Sequence, residues 1–360
     1  MERIVLGYSG SLDSSAAIPW LADRHGAEII AVTLDLGQGQ ELESVRDRAL
    51  ATGALRALVR DVRDEFARDY VLRALKADAL DADGHPMAAA LSRPIIASKL
   101  IEIANIEQAT AVAHGGIARD QERLDAAVHA LNPTMPVLAP ARDWDMTRSE
   151  VAGYARARHL PLPADADRPY TIDANLWGRS IATDGTARPR SEDICVLTKA
   201  PADCPDEPAH IEISFDRGAP MAINGVAMPL LDLVGSLVTI AAAHGVGRIA
   251  VPDGASAGRA SFALCEAPAA VVLHAAHRAL QALVTPKALE HRCRETSLAY
   301  SDLVARGEWF GPARTTLDAA VLATEQRVTG TVRLTLFKGT CRVETATQGS
   351  QQTTRLVVKQ

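Results

Sequence analysis

Aromatic residues make up only 4% of this 360-residue chain, so its core has to be built from Ala, Val, Leu and Ile. Cysteine is sparser still. Cys195, Cys204, Cys265, Cys293 and Cys341 are odd in number and form no C-x-x-C pair, which argues against a disulfide framework or a zinc site and fits reduced thiols. No apolar run reaches the roughly 20 residues that a membrane span needs, and the longest, 230–243, is interrupted by Asp232. Positive charge is not in excess. The formal net charge is −6, which argues against the many phosphate contacts of non-specific nucleic-acid binding. The chain runs from Met1 almost directly into a strand pattern without the apolar region of a secretory leader, so a cytoplasmic location is expected.

What is present points to a folded enzyme. Hydrophobic residues at 48% are enough for a sizeable core, and the length predicts two or three domains. Up to about residue 160, strand patterns at 3–7 (RIVLG), 27–34 (AEIIAVTL), 57–62, 109–113 and 135–139 alternate with helical patterns at 14–25, 41–52, 64–75, 95–106 and 149–158. This alternation predicts an α/β fold, a parallel sheet with helices on both faces. Ligands of such sheets bind at the carboxyl ends of the strands. After 181 the pattern changes. The segment 182–208 reads as a linker, 210–215 and 221–224 as a hairpin, 230–244, 270–283 and 315–327 as helices, and 329–337 and 341–347 as paired strands. The expected division is a nucleotide-binding domain over 1–165 and a second, α+β domain over 166–360.

The sharpest local feature is Tyr8-Ser9-Gly10-Ser11-Leu12-Asp13-Ser14-Ser15, between the first strand and the first helix. Such a turn aims backbone N–H groups and hydroxyls at a phosphate, and the helix N-terminus adds partial positive charge. Asp13 would face a Mg²⁺ bridging the phosphates. An ordinary turn with a serine N-cap fits the same residues. The loop lacks the lysine of G-x-x-x-x-G-K-S/T and the spacing of G-x-G-x-x-G. It resembles the S-G-G-x-D-S/T-S loop of enzymes that split ATP into AMP and pyrophosphate.

Further segments narrow this resemblance. DLGQGQ at 35–40, RPIIASKLIEIANIEQATAVAHG at 93–115, PYTIDANLWGRSI at 169–181, HGVGRI at 244–249 and VTGTVRLTLFKG at 328–339 occur in the order found in argininosuccinate synthases. The chain resembles that family over most of its length. The resemblance implies an adenine nucleotide α-hydrolase-like first domain, an α+β synthetase domain, and a ligase using ATP and Mg²⁺. In the family's reaction the ureido oxygen of citrulline attacks the α-phosphorus, pyrophosphate leaves, and the amine of aspartate displaces AMP.

Carried over by position, the resemblance implies ATP contacts at Gly7, Tyr8, Ser9, Gly10, Ser11, Leu12, Asp13, Ser14, Ser15, Leu34 and Gly115. Substrate contacts fall on His85, Ala90, Ile117, Asp120, Arg123, Thr171, Ser180, Asp253 and Cys265, with Ser9, Asp13 and Asp120 as the catalytic set. Several of these depart from the family pattern. Ser11 replaces the second glycine, at a cost if that position needs positive φ. His85 and Cys265 each replace a tyrosine, Asp253 a glutamate, Ile117 a threonine, and Ala89 and Ala90 small hydroxyl residues. The stretch HGGIARDQERLD at 114–125 is two residues shorter than the family's. These losses of hydroxyls and amides predict ATP activation with an acceptor or amine donor other than citrulline and aspartate. The alternatives are an authentic argininosuccinate synthase of arginine biosynthesis, a tRNA-modifying relative, or a non-catalytic ATP-binding regulatory protein.

Arg123 is the expected carboxylate ligand, because its planar fork matches one bidentately. His274 and His277, three apart on a helical pattern, read as packing or surface residues rather than metal ligands, and no metal site made of protein ligands alone is expected. Small amino-acid-like substrates, no nucleic acid, no membrane, and a homodimer or homotetramer complete the expectation. The short run after the last strand, at 356–360, puts the type of oligomer in doubt, because family chains continue with an arm that wraps neighbouring subunits.

Overall fold

The computed structural model describes residues 2–39, 41–163, 168, 170–183, 194–253 and 261–349. The expected linker falls partly (184–193), and the terminal 356–360 run wholly, outside the described residues. The chain forms two compact units, neither continuous in sequence. The first comprises Met1–Val62, Ala90–Arg168 and Ala305–Gly311. The second comprises Arg63–Ala89, Pro169–Val304 and Pro312–Gln360.

The first unit is built on β1 (Arg3–Gly7), α1 (Leu12–His25), β2 (Glu28–Asp35), α2 (Leu42–Ala51) and β3 (Arg56–Asp61). After α3 (Arg63–Phe66) and α4 (Leu72–Lys76), which belong to the second unit, the chain returns through α5 (Ala88–Glu107). It continues with β4 (Ala111–His114), α6 (Ala118–Leu131), β5 (Val137–Leu138), α7 (Pro140–Asp143) and α8 (Arg148–Ala157). All four strand pairs are parallel, in the order β3-β2-β1-β4-β5. β1 and β2 are almost continuously apolar and buried, as a sheet covered on both faces requires. One cluster joins Ile4, Leu6, Ile18, Leu21, Ile29 and Val45. Another joins Leu12 and Ala16 of α1 to Val151, Ala152 and Ala155 of α8. The helical pattern at 14–25 begins two residues earlier and continues through Pro19. The helix expected from 95 starts at Ala88 and contains Pro94. Between α3 and α4, the segment Ala67–Val71 is a π-helical turn.

The second unit is α+β. Its elements are β6 (Tyr170–Asn175), β7 (Gly178–Thr183), β8 (Ala209–Asp216), β9 (Ala219–Ile223), β10 (Val226–Ala227), α9 (Leu230–Ala243), β11 (Arg248–Asp253) and β12 (Ser261–Glu266). They are followed by α10 (Pro268–Val284), α11 (Lys287–Arg306), α12 (Pro312–Glu325), β13 (Gly330–Phe337) and β14 (Thr340–Gln348). Two antiparallel sheets form, β10-β9-β8-β13-β14 and β11-β12-β7-β6. β8 and β13 alternate buried and less buried residues, as expected where one face packs on the core. The fully buried Glu266 joins this unit's elements. It accepts from Arg179 Nη1 at 3.0 Å, from the N–H groups of Val196, Leu197 and Thr198, and from the Thr198 hydroxyl at 2.7 Å. A buried carboxylate is tolerated only with partners of this number and kind. His274 and His277 are both buried, paired with Asp78 at 2.9 Å and Glu325 at 2.7 Å. They are packing residues, and neither lies on the surface.

Candidate active site

The order of the parallel sheet determines where a ligand can sit. β1 is at its centre, with β2 on one side and β4 on the other, and Gly7 and His114 are register partners at the carboxyl ends. Connections leave in opposite directions from this point, which opens a crevice. The serine-rich turn and the Gly115-Gly116 pair both start from it.

Within the turn, Gly10 has φ +76° and Ser11 has φ −71°. The cost expected for Ser11 in place of glycine is therefore absent, because Gly10 is the residue that needs left-handed backbone. Ser11 is instead the N-cap of α1, its hydroxyl accepting from Ser14 N at 3.3 Å. Ser9, Ser11 and Ser14 form a ring of hydroxyls, with Oγ–Oγ distances of 3.0, 3.1 and 3.2 Å. Ser15 is buried, and its hydroxyl lies 3.0 Å from Tyr8 Oη. The Leu12 side chain is buried in the cluster with α8, so its backbone is the part of it available to a ligand.

Asp13 lies in the first turn of α1. Burial raises its carboxyl pKa above the usual range, and Arg148, whose Nη1 lies 3.3 Å away, only partly offsets this. A carboxylate held this way gains from a further cation. Arg48 reaches the loop from α2 and donates to the Gly10 carbonyl at 2.7 Å. Leu34 is buried near the carboxyl end of β2.

Beyond β4, Gly115 has open space around it, and Gly116 is the tightly packed member of the pair. A Cβ at Gly116 would lie 3.0 Å from Leu124 Cδ1 and 3.2 Å from Gln121 N. Gly116 N donates to His114 Nδ1 at 3.1 Å, so the ring proton sits on Nε2 and is given to Asp125 Oδ1 at 2.9 Å. This uses both ring nitrogens of His114 in structural bonds. Ile117 is exposed at the N-cap of α6 and makes no side-chain cap bond. Ala90 is buried in α5.

Asp120 is clamped between Arg93 Nη2 and Arg123 Nη1, each at 2.7 Å. Burial acts to raise its carboxyl, but the two guanidiniums outweigh burial and hold it below the ordinary carboxylate range. Arg123 also donates from Nε to the Ala305 carbonyl at 2.8 Å. The fork expected to take a substrate carboxylate is thus partly engaged by the protein, and Asp120 is already an ion-pair acceptor.

The remaining expected substrate residues lie in the second unit. Ser180 of β7 and Cys265 of β12 are register partners, and the Ser180 hydroxyl bonds the thiol. Burial drives the Cys265 thiol up to about 12, so it is a packing residue and no nucleophile. Asp81 is close enough for its charge to act on that thiol, and Asp81 Oδ2 bonds His85 Nδ1 at 3.0 Å. His85, Ser180 and Cys265 therefore share one neighbourhood. Thr171 is exposed on β6, its hydroxyl 3.5 Å from the Ala182 carbonyl. Asp253 ends β11 opposite Ser261, and its side chain lies outside the described residues.

Sequence reasoning missed Arg48, Arg93, Arg148 and Asp81. Only Asp81 carries a local signal, in the run Asp81-Ala82-Asp83-Gly84-His85, where an aspartate ahead of a glycine marks a turn. Its carboxylate accepts from the backbone N–H groups of Asp83 and His85.

Two family models cover the chain, the arginosuccinate synthase N-terminal HUP domain over residues 3–161 and the arginosuccinate synthase C-terminal domain over residues 170–353. An argininosuccinate synthase from Dehalococcoides mccartyi is 42% identical over 347 residues, 95% of this chain and 86% of the relative. Counterparts from Rubrobacter xylanophilus and Bacillus thuringiensis are each 43% identical, across 95% of this chain and 85% and 86% of their own lengths. Among solved structures, a U34-tRNA thiolase from Methanococcus maripaludis aligns with 45% of this chain and 58% of its own at 14% identity and a TM-score of 0.32, too distant to bear on function. With both of its halves matched and relatives this similar along nearly the whole chain, the protein belongs to the argininosuccinate synthase family, whose members are carbon–nitrogen ligases.

Proposed function

We propose that this protein is an authentic argininosuccinate synthase, condensing citrulline with aspartate at the expense of ATP and releasing AMP and pyrophosphate. The observation that carries this reading is the serine-rich turn at the crevice between β1 and β4, in a chain matched by both family domains. The expectation of altered substrates finds no support in the comparisons, because relatives at 42–43% identity along 95% of the chain bear the unmodified name. Losses at Ile117, Ala90 and Cys265 are read as local compensation. The proposed domain division, 1–165 and 166–360, runs close to the gap between the two family matches.

The residues present divide the work. The N–H groups opening α1 and the hydroxyls of Ser9, Ser11 and Ser14 would hold the leaving pyrophosphate, where charge grows in the transition state. Leu34 would border the adenine, and the Gly115 backbone would run beside the nucleotide. Among the described residues no group of three His, Cys, Asp or Glu side chains could hold a metal. Mg²⁺ would arrive with ATP and neutralise phosphate charge, with Asp13 as the loop's one carboxylate. Thr171, Ser180, Asp253, Asp120 and Arg123 would bind the amino-acid substrates, with Asp120 keeping the guanidiniums of Arg93 and Arg123 in place. Among the described residues no helix is long and apolar enough to cross a membrane. A cytoplasmic homo-oligomer without nucleic-acid partners completes the proposal.

The test is incubation of purified protein with citrulline, aspartate, ATP and Mg²⁺. The expected result is argininosuccinate by mass spectrometry with one pyrophosphate per product, requiring both amino acids. ATP binding without amino-acid-dependent turnover would leave a regulatory protein as the reading.

A further inference from the structure

Resting on that reading and deepening it, we propose that His114 is a positioning residue that holds the Gly115-Gly116 turn in place beside the nucleotide, and that Asp125 sets the tautomer His114 needs to do so.

The inference starts from a contrast between two neighbouring glycines. Gly115 is exposed, and nothing lies within 4 Å of where its Cβ would be. Gly116 is half-buried, and a Cβ there would meet His114 Nδ1 at 3.1 Å as well as Leu124 and the Gln121 backbone. A ligand can approach the first residue, and the second fixes where that residue lies. Ile117, at the N-cap of α6, supplies no side-chain cap bond. The turn into α6 is held instead by Gly116 N, which donates to His114 Nδ1. His114 is buried at the end of β4, in register with Gly7 of β1, so its ring ties the turn to the sheet.

One tautomer alone serves this role. Nδ1 has to present a lone pair to Gly116 N–H, which puts the ring proton on Nε2. Asp125 Oδ1 takes that proton's hydrogen bond at 2.9 Å. Burial acts to raise the Asp125 carboxyl, but the bond from His114, the charge of Arg142 and a bond from Gln121 outweigh it and hold it low. It is therefore ionised at neutral pH and can only accept. Its second oxygen, Oδ2, faces Arg142 Nη1 at 3.4 Å, so each oxygen has its own donor. In the opposite tautomer Nδ1–H would point at Gly116 N–H. Two opposed donors push the turn away from the ring, and Gly115 moves with it.

Nitrogen NMR of histidine-labelled protein and calorimetric titration with ATP and Mg²⁺ test this. Wild type is expected to carry the His114 proton on Nε2 with Nδ1 bare, and a proton on Nδ1 overturns the assignment without any variant. His114→Leu fills the space without an acceptor and should weaken ATP binding about tenfold. His114→Asn returns a carbonyl oxygen near the place of Nδ1 and should recover affinity to within about threefold of wild type. Equal losses in these two variants overturn the proposal by showing a merely structural role. Asp125→Asn keeps its amide oxygen toward the Arg142 donor and turns its amide nitrogen to His114. This moves the ring proton to Nδ1 and should again weaken ATP about tenfold. In the His114→Asn background the same change should cost less than about twofold, because no imidazole remains to be reset. An Nε2-protonated ring in Asp125→Asn, or an undiminished loss in the double variant, overturns the role given to Asp125. Wild-type protein that gives this pattern with ATP yet forms no argininosuccinate overturns the proposed function and leaves this assignment standing. Wild-type protein that binds no ATP overturns both.

Discussion

Gly10→Ala is expected to damage the nucleotide loop, whereas Ser11→Gly, which restores the family's second glycine, should bring no gain. Gly10 has φ +76°, and a Cβ there would lie 3.0 Å from Val45 Cγ1 and 3.3 Å from Arg48 Nη1, the guanidinium that holds the Gly10 carbonyl. A left-handed backbone costs an L-residue about 1–2 kcal/mol, and crowding a packed position adds about 1 kcal/mol. The expected loss is therefore about 2–3 kcal/mol. Ser11 has φ −71°, so its Cβ carries no such cost. Replacing its cap by glycine costs a few tenths of a kcal/mol at the N-cap, and the freer unfolded chain adds about 0.5 kcal/mol. Urea unfolding followed by tryptophan fluorescence reads both variants, because Trp20 and Trp144 form an edge-on pair 6.2 Å apart in the same unit as the loop. Titration with ATP should show Gly10→Ala weakened at least tenfold. Gly10→Ala within 0.5 kcal/mol of wild type, or Ser11→Gly more damaging than Gly10→Ala, would refute this reasoning.

Further expectations concern charge and burial. Glu266→Gln leaves the Arg179 guanidinium buried without its counter-charge, so a loss of about 3–5 kcal/mol in chemical denaturation is expected, and a change under 1 kcal/mol would count against the anchor. The folded-state pKa of Asp120 is depressed, so its contribution is complete above the unfolded carboxylate value near 4 and is lost as pH falls through the lower folded value. Asp120→Asn should accordingly cost about 2 kcal/mol at pH 7, with the deficit shrinking below pH 4, and a deficit constant down to pH 2 would contradict the double ion pair. With its thiol pushed up to about 12, Cys265 should resist iodoacetamide at pH 8 in the native protein and label on unfolding, as peptide mass mapping would show.

The parallel sheet was legible because β1 and β2 are long apolar runs and a helical pattern lies between them. α6 is absent from the expected helices although Leu124, Ala127, Val128 and Leu131 stand at helical spacing, because its first turns, from Arg119 to Arg123, are wholly polar. α11 was also overlooked, since its polar sequence keeps few residues in the core, chiefly Tyr300, Ser301, Leu303 and Val304. The site was legible where the residues are neighbours in sequence, as in the turn after β1. It was illegible where distant residues meet. Arg48 and Arg148 reach the loop from α2 and α8, Arg93 reaches Asp120 from α5, and Glu266 meets Arg179 across 87 positions. Backbone angles are equally hidden, which is why the strain expected at Ser11 belongs to its neighbour Gly10.

In the proposed reaction the turn after β1 holds ATP while the ureido oxygen of citrulline displaces pyrophosphate and leaves with AMP. Single-turnover reaction with aspartate and citrulline labelled with heavy oxygen at the ureido position tests it directly. The label should appear in the phosphate of AMP and be absent from pyrophosphate. Unlabelled AMP, or ADP and inorganic phosphate as products, would contradict it.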